Sequence, residues 1–326
     1  MSRPLGPATA CEAALRAWVV RHPLPETGLT HPWAVAYSGG ADSTALLLAA
    51  HALWPGRVQA FHVHHGLQAA ADGFVAHAAQ ACAALGVPLH VDRVQAGHGP
   101  GQSPEDAARQ ARYAALARMA HAHGAACVLL GQHAQDQMET VLLALTRGGG
   151  VEGLAGMPEV MERHGVRFGR PLLQTDGRVL REQLHAQGVS YLNDPTNVDE
   201  RYTRNRIRAR VLPPLLDAFP TSLETFSRSA RLAAQAMKVL QDVARQDLQT
   251  VGEPPVIRRL QALSRERQAN VLRHWLQEGW QAVPSEAQLN ELLDQVAACT
   301  TRGHRLRLKV AAGYVVREGQ ALRYSP

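Results

Sequence analysis

Six consecutive residues, Ser38-Gly39-Gly40-Ala41-Asp42-Ser43, carry the densest chemistry in this chain. They stand between Trp33 to Tyr37 (WAVAY), which reads as a buried strand, and Ser43 to Ala52, which reads as a helix. Two glycines let the backbone take positive φ and approach a ligand closely. Ser38, Ser43 and the amides that follow offer donors, and the helix dipole is positive at the same place. That combination cradles phosphate. Asp42 would repel phosphate unless a cation lay between them, so it implies bridging Mg2+. An ordinary strand–turn–helix capped by Asp or Ser would use the same residue types.

Further along, Asp136 and Glu139 are spaced i,i+3 and share a helix face, with Met138, Val141, Leu142 and Leu145 on the buried one. Such a carboxylate pair at a helix start can hold Mg2+ or the amino group of a cationic substrate. It can equally be a solvated acidic first turn favoured by the dipole. His133 falls where a strand gives way to that helix, at the edge of the sheet where ligands bind in open α/β folds. His62 and His64 lie on one strand face with His65 opposite. Nucleotide contact or packing suits them better than zinc, because no third ligand is evident.

Arg109 and Arg112 are i,i+3 and could clamp phosphate or RNA, or salt-bridge to Glu105. Arg201, Arg204, Arg206, Arg208 and Arg210 form a basic run in which Arg204 and Arg208 make one stripe suited to phosphate. Arg302, Arg305, Arg307 and Lys309 form a second cluster. Its last three members share a strand face that suits an RNA backbone.

Two common nucleotide motifs fail. A Walker A loop needs GxxxxGK(S/T), and the only lysines are Lys238 and Lys309. A GxGxxG occurs at Gly148, Gly150 and Gly153, but it follows a helix and not a strand, so it reads as a loop.

The elements that position these groups alternate. Val58 to His64 and Leu89 to Val94 read as strands, with a helix between them to about Ala84. Pro104 to His123 reads as a helix that Ser103 caps. Cys127 to Gly131 reads as a strand, then a helix runs to about Arg147. Alternation of this kind predicts an α/β fold: a doubly wound, mostly parallel sheet. Gly148 to Gly156 holds five glycines and reads as a mobile loop. Arg178 to Gln187 reads as a short helix, and a basic helix from Asp199 is expected to end at Pro213-Pro214. The boundary is placed near Asp217, giving a catalytic domain over 1–217 and a smaller, mainly helical one over 218–326. In the latter, Ser285 and Gln288 form a capping-box signature. Arg305 to Val310, Tyr314 to Arg317 and Ala321 to Tyr324 read as short strands.

Composition agrees. The 326 residues suit two domains, and 46% hydrophobic against 19% charged residues suits a buried core and not disorder. A net charge of +6 favours a polyanionic partner. Four cysteines, Cys11, Cys82, Cys127 and Cys299, form no CxxC pair, which argues against a disulfide scaffold, a zinc ribbon or a cysteine-ligated cluster. A reducing, cytoplasmic setting is expected. No apolar run is long enough for a membrane span, and Glu12 and Arg16 make Cys11 to Val20 an amphipathic helix in place of a signal peptide.

Ser38 to Ser43 resembles the SGGxDS pyrophosphate loop of the N-type ATP pyrophosphatases, the PP-loop superfamily. Three further segments resemble the tRNA(Ile)-lysidine synthetase family within it. Glu105-Asp106-Ala107-Ala108-Arg109 with Arg112-Tyr113 is similar to its ExxAR…RY segment. Gly131 to Thr140, continuing through Arg147-Gly148 to Met157, is similar to GHHxDDQxET…RGxGxxGLxGM, with Gln132 and Gln135 where the family usually has His and Asp. Asp194-Pro195-Thr196-Asn197 with Arg204-Asn205 and Ile207-Arg208 is similar to DPTN…RNxIR. The four segments lie in order over residues 30–215.

The resemblance implies ATP and Mg2+ as cofactors, and L-lysine and a tRNA(Ile) with CAU anticodon as partners. ATP would adenylate the C2 oxygen of the wobble cytidine, and the lysine ε-amine would then displace AMP. The implied catalytic residues are Asp42, His133, Asp136 and Arg208, with His133 or Asp136 as base. Ser38, Gly39, Gly40, Asp42, Ser43, His62 and Arg112 would hold ATP. Glu139, Arg109, Asn197 and Arg204 would hold substrate, and Asp42 and Asp136 the metal. Two other readings use the same loop: a tRNA cytidine thiolase, whose relatives generally use paired cysteines, and a non-catalytic nucleotide- or RNA-binding module. The oligomeric state is left open, a homodimer being one option.

Overall fold

A computed structural model describes residues 9–24, 31–64, 71–94, 104–193, 199–301 and 303–326. The chain divides into two compact units at Leu232/Ala233.

In the first unit, six strands form one sheet. They are β1 (Trp33–Ala36), β2 (Val58–His64), β3 (Leu89–Arg93), β4 (Cys127–Leu129), β5 (Val160–Arg163) and β6 (Val166–Gly169), in the order β3-β2-β1-β4-β6-β5. Every pair is parallel except β5 with β6. The expected doubly wound sheet is therefore present. Its strands run to opposite sides from β1 and β4, which makes the carboxyl ends of those two strands the switch point where a crevice opens.

Strands β1 and β4, at the centre of the sheet, are short continuous apolar runs because both faces are covered. Trp33, Val35, Cys127 and Leu129 face one core with Leu15, Trp18, Leu46 and Leu47. Ala34, Val128 and Leu130 face the other with Tyr113, Leu116 and Phe168. The first core packs helices α1 (Ala10–Arg21) and α2 (Ala41–Leu53), and the second packs α4 (Pro104–Ala122). Helix α3 (Ala71–Leu85) connects β2 to β3, and α5 (Ala134–Thr146) follows β4.

Two expectations need correction here. Gly148 to Gly156 is not a plain loop: α6 (Val151–Leu154) forms within it, with Gly150 at its N-cap. Pro213-Pro214 do not simply end a helix. Helix α8 (Thr203–Arg210) stops first, and the prolines occupy the first turn of α9 (Leu212–Ala218), where a missing N–H breaks no helical bond. The β5–β6 hairpin was not foreseen. Its turn is His164-Gly165, with φ of 51° and 69°, and histidine is a weak turn signal beside the usual Asn-Gly. Ser103, the expected cap of α4, lies outside the described residues.

Helix α7 (Gly177–Ala186) follows β6, with Asp176 as N-cap accepting from the Arg178 N–H at 2.8 Å. The expected domain boundary falls near the end of α9. The compact units divide further on, within α10 (Ser222–Val251).

The second unit is mostly helical, with α11 (Ile257–Gln261), α12 (Arg265–Trp280) and α13 (Glu286–Ala298) packed around Leu260, Leu272, Trp275, Leu276, Leu292 and Val296. The capping box forms as expected: Gln288 N–H donates to Ser285 Oγ at 3.2 Å, and Ser285 N–H donates to Gln288 Oε1 at 2.9 Å. Strands β7 (Arg307–Val310), β8 (Gly313–Glu318) and β9 (Ala321–Ser325) form an antiparallel sheet in that order. Buried Asp247 pairs with Arg267. Among the described residues, no helix is long and apolar enough to cross a membrane.

Candidate active site

A cavity of about 690 Å³ opens at the switch point, against the residues that follow β1 and β4. Its floor is the turn between β1 and α2. Gly39 takes φ +85°, a conformation that side chains resist, whereas Gly40 is extended and caps α2. Ser43 ties the turn together. Its Oγ receives the Ser38 N–H at 3.2 Å, lies 3.1 Å from Ser38 Oγ, and donates to the Gly40 carbonyl at 3.0 Å. The result is a preformed turn leading into the N-terminus of a 13-residue helix, the arrangement that attracts an anion.

A charged cluster stands above this turn. His133 Nε2 lies 3.5 Å from Asp42 Oδ2 and 3.6 Å from Asp136 Oδ2. Asp136 is further held by the His133 backbone N–H at 3.0 Å and by Arg208 Nη2 at 3.2 Å. Burial alone would disfavour the charged imidazole, but Asp136 and Asp42 outweigh it and hold the His133 pKa above its ordinary value. Burial alone would likewise raise Asp42, yet His133, Arg181 and Arg208 keep it below the usual carboxylate range. Asp42 Oδ1 is buried and accepts no hydrogen bond, although Arg181 Nη2 lies 3.8 Å away. A carboxylate oxygen left in that condition beside a phosphate turn suits a hard cation.

Arg208 closes the cluster. Its Nε donates to Glu139 Oε1 at 2.7 Å and its Nη2 to Glu139 Oε2 at 3.0 Å. The Glu139 side chain is 0% exposed, and burial pushes its pKa up against the pull of Arg208. On the opposite wall, His62 Nδ1 donates to the Tyr37 carbonyl at 2.8 Å, and burial draws its pKa down, which favours the neutral ring. Phe61, Phe74 and Leu116 supply the apolar part of the lining.

Family models match two stretches: a PP-loop domain over residues 20–215 and a TilS substrate binding domain over residues 256–323. The chain is 64% identical over 294 residues to a tRNA(Ile)-lysidine synthase of Polaromonas naphthalenivorans, covering 90% of this chain and 89% of that one. The chain belongs to the tRNA(Ile)-lysidine synthase family. A relative with the same name in Bordetella parapertussis is 43% identical over 87% of this chain and 86% of its own. Among solved structures, the U34-tRNA thiolase NcsA of Methanococcus maripaludis superposes with a TM-score of 0.55 at 16% identity, covering 69% of this chain and 80% of that one. That likeness is one of fold alone.

Within the lysidine synthase family frame, most residues singled out in the sequence do converge. Ser38, Gly40, Asp42, Ser43, His62, Arg112, His133, Asp136 and Arg208 all line the cavity. Gly39 sits in the turn itself, its carbonyl accepting the Leu192 N–H at 2.9 Å. Glu139 lies behind Arg208. Arg109 is not brought to the lining: it is 56% exposed and pairs with Asp106 at 2.9 Å. Arg204 is also outside the lining, donating to Thr140 Oγ1 at 3.2 Å. Asn197, His65 and Arg302 lie outside the described residues.

The two glutamines at positions where the lysidine synthase family usually has His and Asp have structural partners. Gln132 Oε1 receives Arg170 Nε at 2.9 Å. Gln135 Oε1 receives the Gly177 N–H at 3.0 Å, and its Nε2 donates to Asp176 Oδ1 at 2.6 Å, so it fastens the start of α7. Arg181, on α7, was missed by sequence reasoning. Nothing local marks it, since its partner Asp42 lies far away in the chain. All four cysteines are buried and none lines the cavity.

Proposed function

We infer that this chain is an ATP-dependent ligase that modifies the wobble cytidine of a tRNA(Ile) with a CAU anticodon, joining L-lysine to C2 and forming lysidine, AMP and pyrophosphate. The observation that carries the reading is the convergence of Asp42, His133, Asp136 and Arg208 on a phosphate turn in a chain of this family.

In the first step the cytidine O2 attacks the α-phosphorus of ATP, and the bond to the β-phosphate breaks. The turn at Ser38 to Ser43 and the N-terminus of α2 would hold the leaving pyrophosphate. His133 stands beside both Asp42 and Asp136 at the cavity wall, which suits contact with the phosphates. Arg112 and Arg208 add cations along the wall. Asp42 and Asp136 would hold Mg2+, which supplies charge neutralisation on the phosphates.

In the second step the lysine ε-amine attacks C2, loses a proton and expels AMP through cleavage of the C2–O bond. Asp136, a carboxylate at the cavity wall, and His133 beside it are the candidate acceptors of that proton. Glu139, buried with both oxygens on Arg208, would serve the lysine site by holding that guanidinium at the wall. The apolar lining and His62 suit the adenine end. The thiolase reading has no chemistry to support it here, because every thiol is buried away from the cavity.

The test is AMP and pyrophosphate release by the purified chain with ATP, Mg2+ and L-lysine, with and without tRNA(Ile). Release that needs the tRNA supports the reading. Release unaffected by tRNA would mean that the nucleotide is spent on another acceptor.

A further inference from the structure

The outer face of the sheet β7-β8-β9 carries a group that the chemistry above does not use. Alternation sets the two faces apart. Leu308, Val315, Leu322 and Tyr324 point into the core of the second unit. Arg307, Lys309, Tyr314, Val316, Arg323 and Ser325 point outward. Register places them in two rungs: Arg307 opposite Val316 opposite Arg323, and Lys309 opposite Tyr314 opposite Ser325. Tyr314 is thus central, with cations on both flanking strands. The Arg307 guanidinium crosses diagonally between the rungs and lies 3.8 Å above the Tyr314 ring.

We propose that this face binds the tRNA substrate by stacking one unpaired base on the Arg307 guanidinium, while Arg323 and Lys309 take neighbouring phosphates. The proposal rests on the tRNA-modifying function inferred above and adds where and how the second unit would grip the RNA. Three observations carry it. First, the guanidinium of exposed Arg307 sits over the Tyr314 ring, and planar cations stack on splayed RNA bases. Secondly, charge on the face is lopsided: Arg307, Lys309 and Arg323 against Glu318, which pairs with Arg323 at 3.1 Å. Thirdly, a protein partner would want an apolar centre, and Val316 is the lone aliphatic side chain among these outward residues, itself half-buried. Arg317 is not part of the grip. Its guanidinium is spent on the carbonyls of Thr301, His304 and Gly319.

The experiment measures the affinity of the full chain for tRNA(Ile) across a range of KCl concentrations. Variants are Arg307→Gln, Tyr314→Leu, Tyr314→Phe, Lys309→Gln and Arg323→Gln, each checked by thermal melting and by ATP binding, which should not change. Arg307→Gln and Tyr314→Leu are expected to weaken binding about tenfold, while Tyr314→Phe binds as the parent does. Lys309→Gln and Arg323→Gln should each lower the salt slope by about one. The slope of Tyr314→Leu should equal that of the parent. Parent-like affinity in folded Arg307→Gln and Tyr314→Leu would overturn this face as the grip while leaving the function standing. A parent chain that binds no tRNA at all would overturn both.

Discussion

Arg208 grips Glu139 through two nitrogens, Nε at 2.7 Å and Nη2 at 3.0 Å, and the carboxylate it grips has no solvent exposure. A buried carboxylate needs such a partner. Removing the guanidinium therefore has two consequences. Arg208→Ala should lower ligation by about 100-fold or more, through loss of a cation at the cavity wall. It should also destabilise the fold by about 1–3 kcal/mol, because Glu139 is left unsatisfied. Arg208→Ala with Glu139→Gln should recover stability and not activity. Thermal melting beside a turnover assay checks both, and recovery of activity in the double variant would remove Arg208 from the chemistry.

Asp42 is the carboxylate nearest the phosphate turn, with one oxygen that accepts no hydrogen bond. Asp42→Ala should reduce tRNA-dependent pyrophosphate release by about 100-fold or more, with little change in melting temperature. Its Mg2+ dependence should shift to higher concentration. Parent-like release and Mg2+ dependence would strip Asp42 of the metal role.

Gly177 is the residue on which the His133 ring rests. A Cβ at that position would meet the ring at 2.9 Å. Since helix α7 is tied to Gln135 and Asp176, the ring must give way. Gly177→Ala should cut activity about tenfold or more by moving His133 off Asp42 and Asp136, while costing about 1–3 kcal/mol of stability. Full activity in a folded Gly177→Ala protein would show that the position of the His133 ring is not critical.

Asp176 caps α7. Burial alone would raise its pKa, but hydrogen bonds from Arg178 and Gln135 hold it down at about 2. A depressed carboxyl pKa favours the folded state above the unfolded value near 3.9. That stabilisation is complete above about pH 5 and fades as the pH falls toward 2. Asp176→Asn should therefore melt lower than the parent at pH 6, with the gap closing in acid. Asp176→Ala should lose about 1 kcal/mol as the cap goes. Melting curves from pH 7 to 3 decide it; a gap that stays constant with pH would show that charge at Asp176 contributes nothing.

What the sequence made legible was what is local. Ser38 to Ser43 follows its strand directly and opens its helix, so the turn and its polarity could be read from residue types alone. The covered strands β1 and β4 are apolar runs bounded by turns, and with the mostly buried β2 they are placed to within a few residues. Pairings over long separations were not legible. Arg181 reaches Asp42 only because α7 folds back over the carboxyl ends of the strands. Arg109 shows the converse: it stands in a motif-like segment, yet it pairs with Asp106 on the surface. Gln132 and Gln135 looked like lapses in a motif, and in the fold each holds a neighbouring element in place. The β5–β6 hairpin was missed because His164 adopts a positive φ that its type does not advertise.

The most direct test of the account is transfer of labelled L-lysine into RNA. Purified protein is incubated with ATP, Mg2+, labelled L-lysine and an unmodified tRNA(Ile) carrying the CAU anticodon, and both the RNA and the nucleotides are counted. The account predicts label in the tRNA that requires ATP, one AMP per lysine joined, and loss of both signals in Asp42→Ala. AMP formed without label in the RNA would contradict it, leaving an adenylating enzyme that uses another nucleophile.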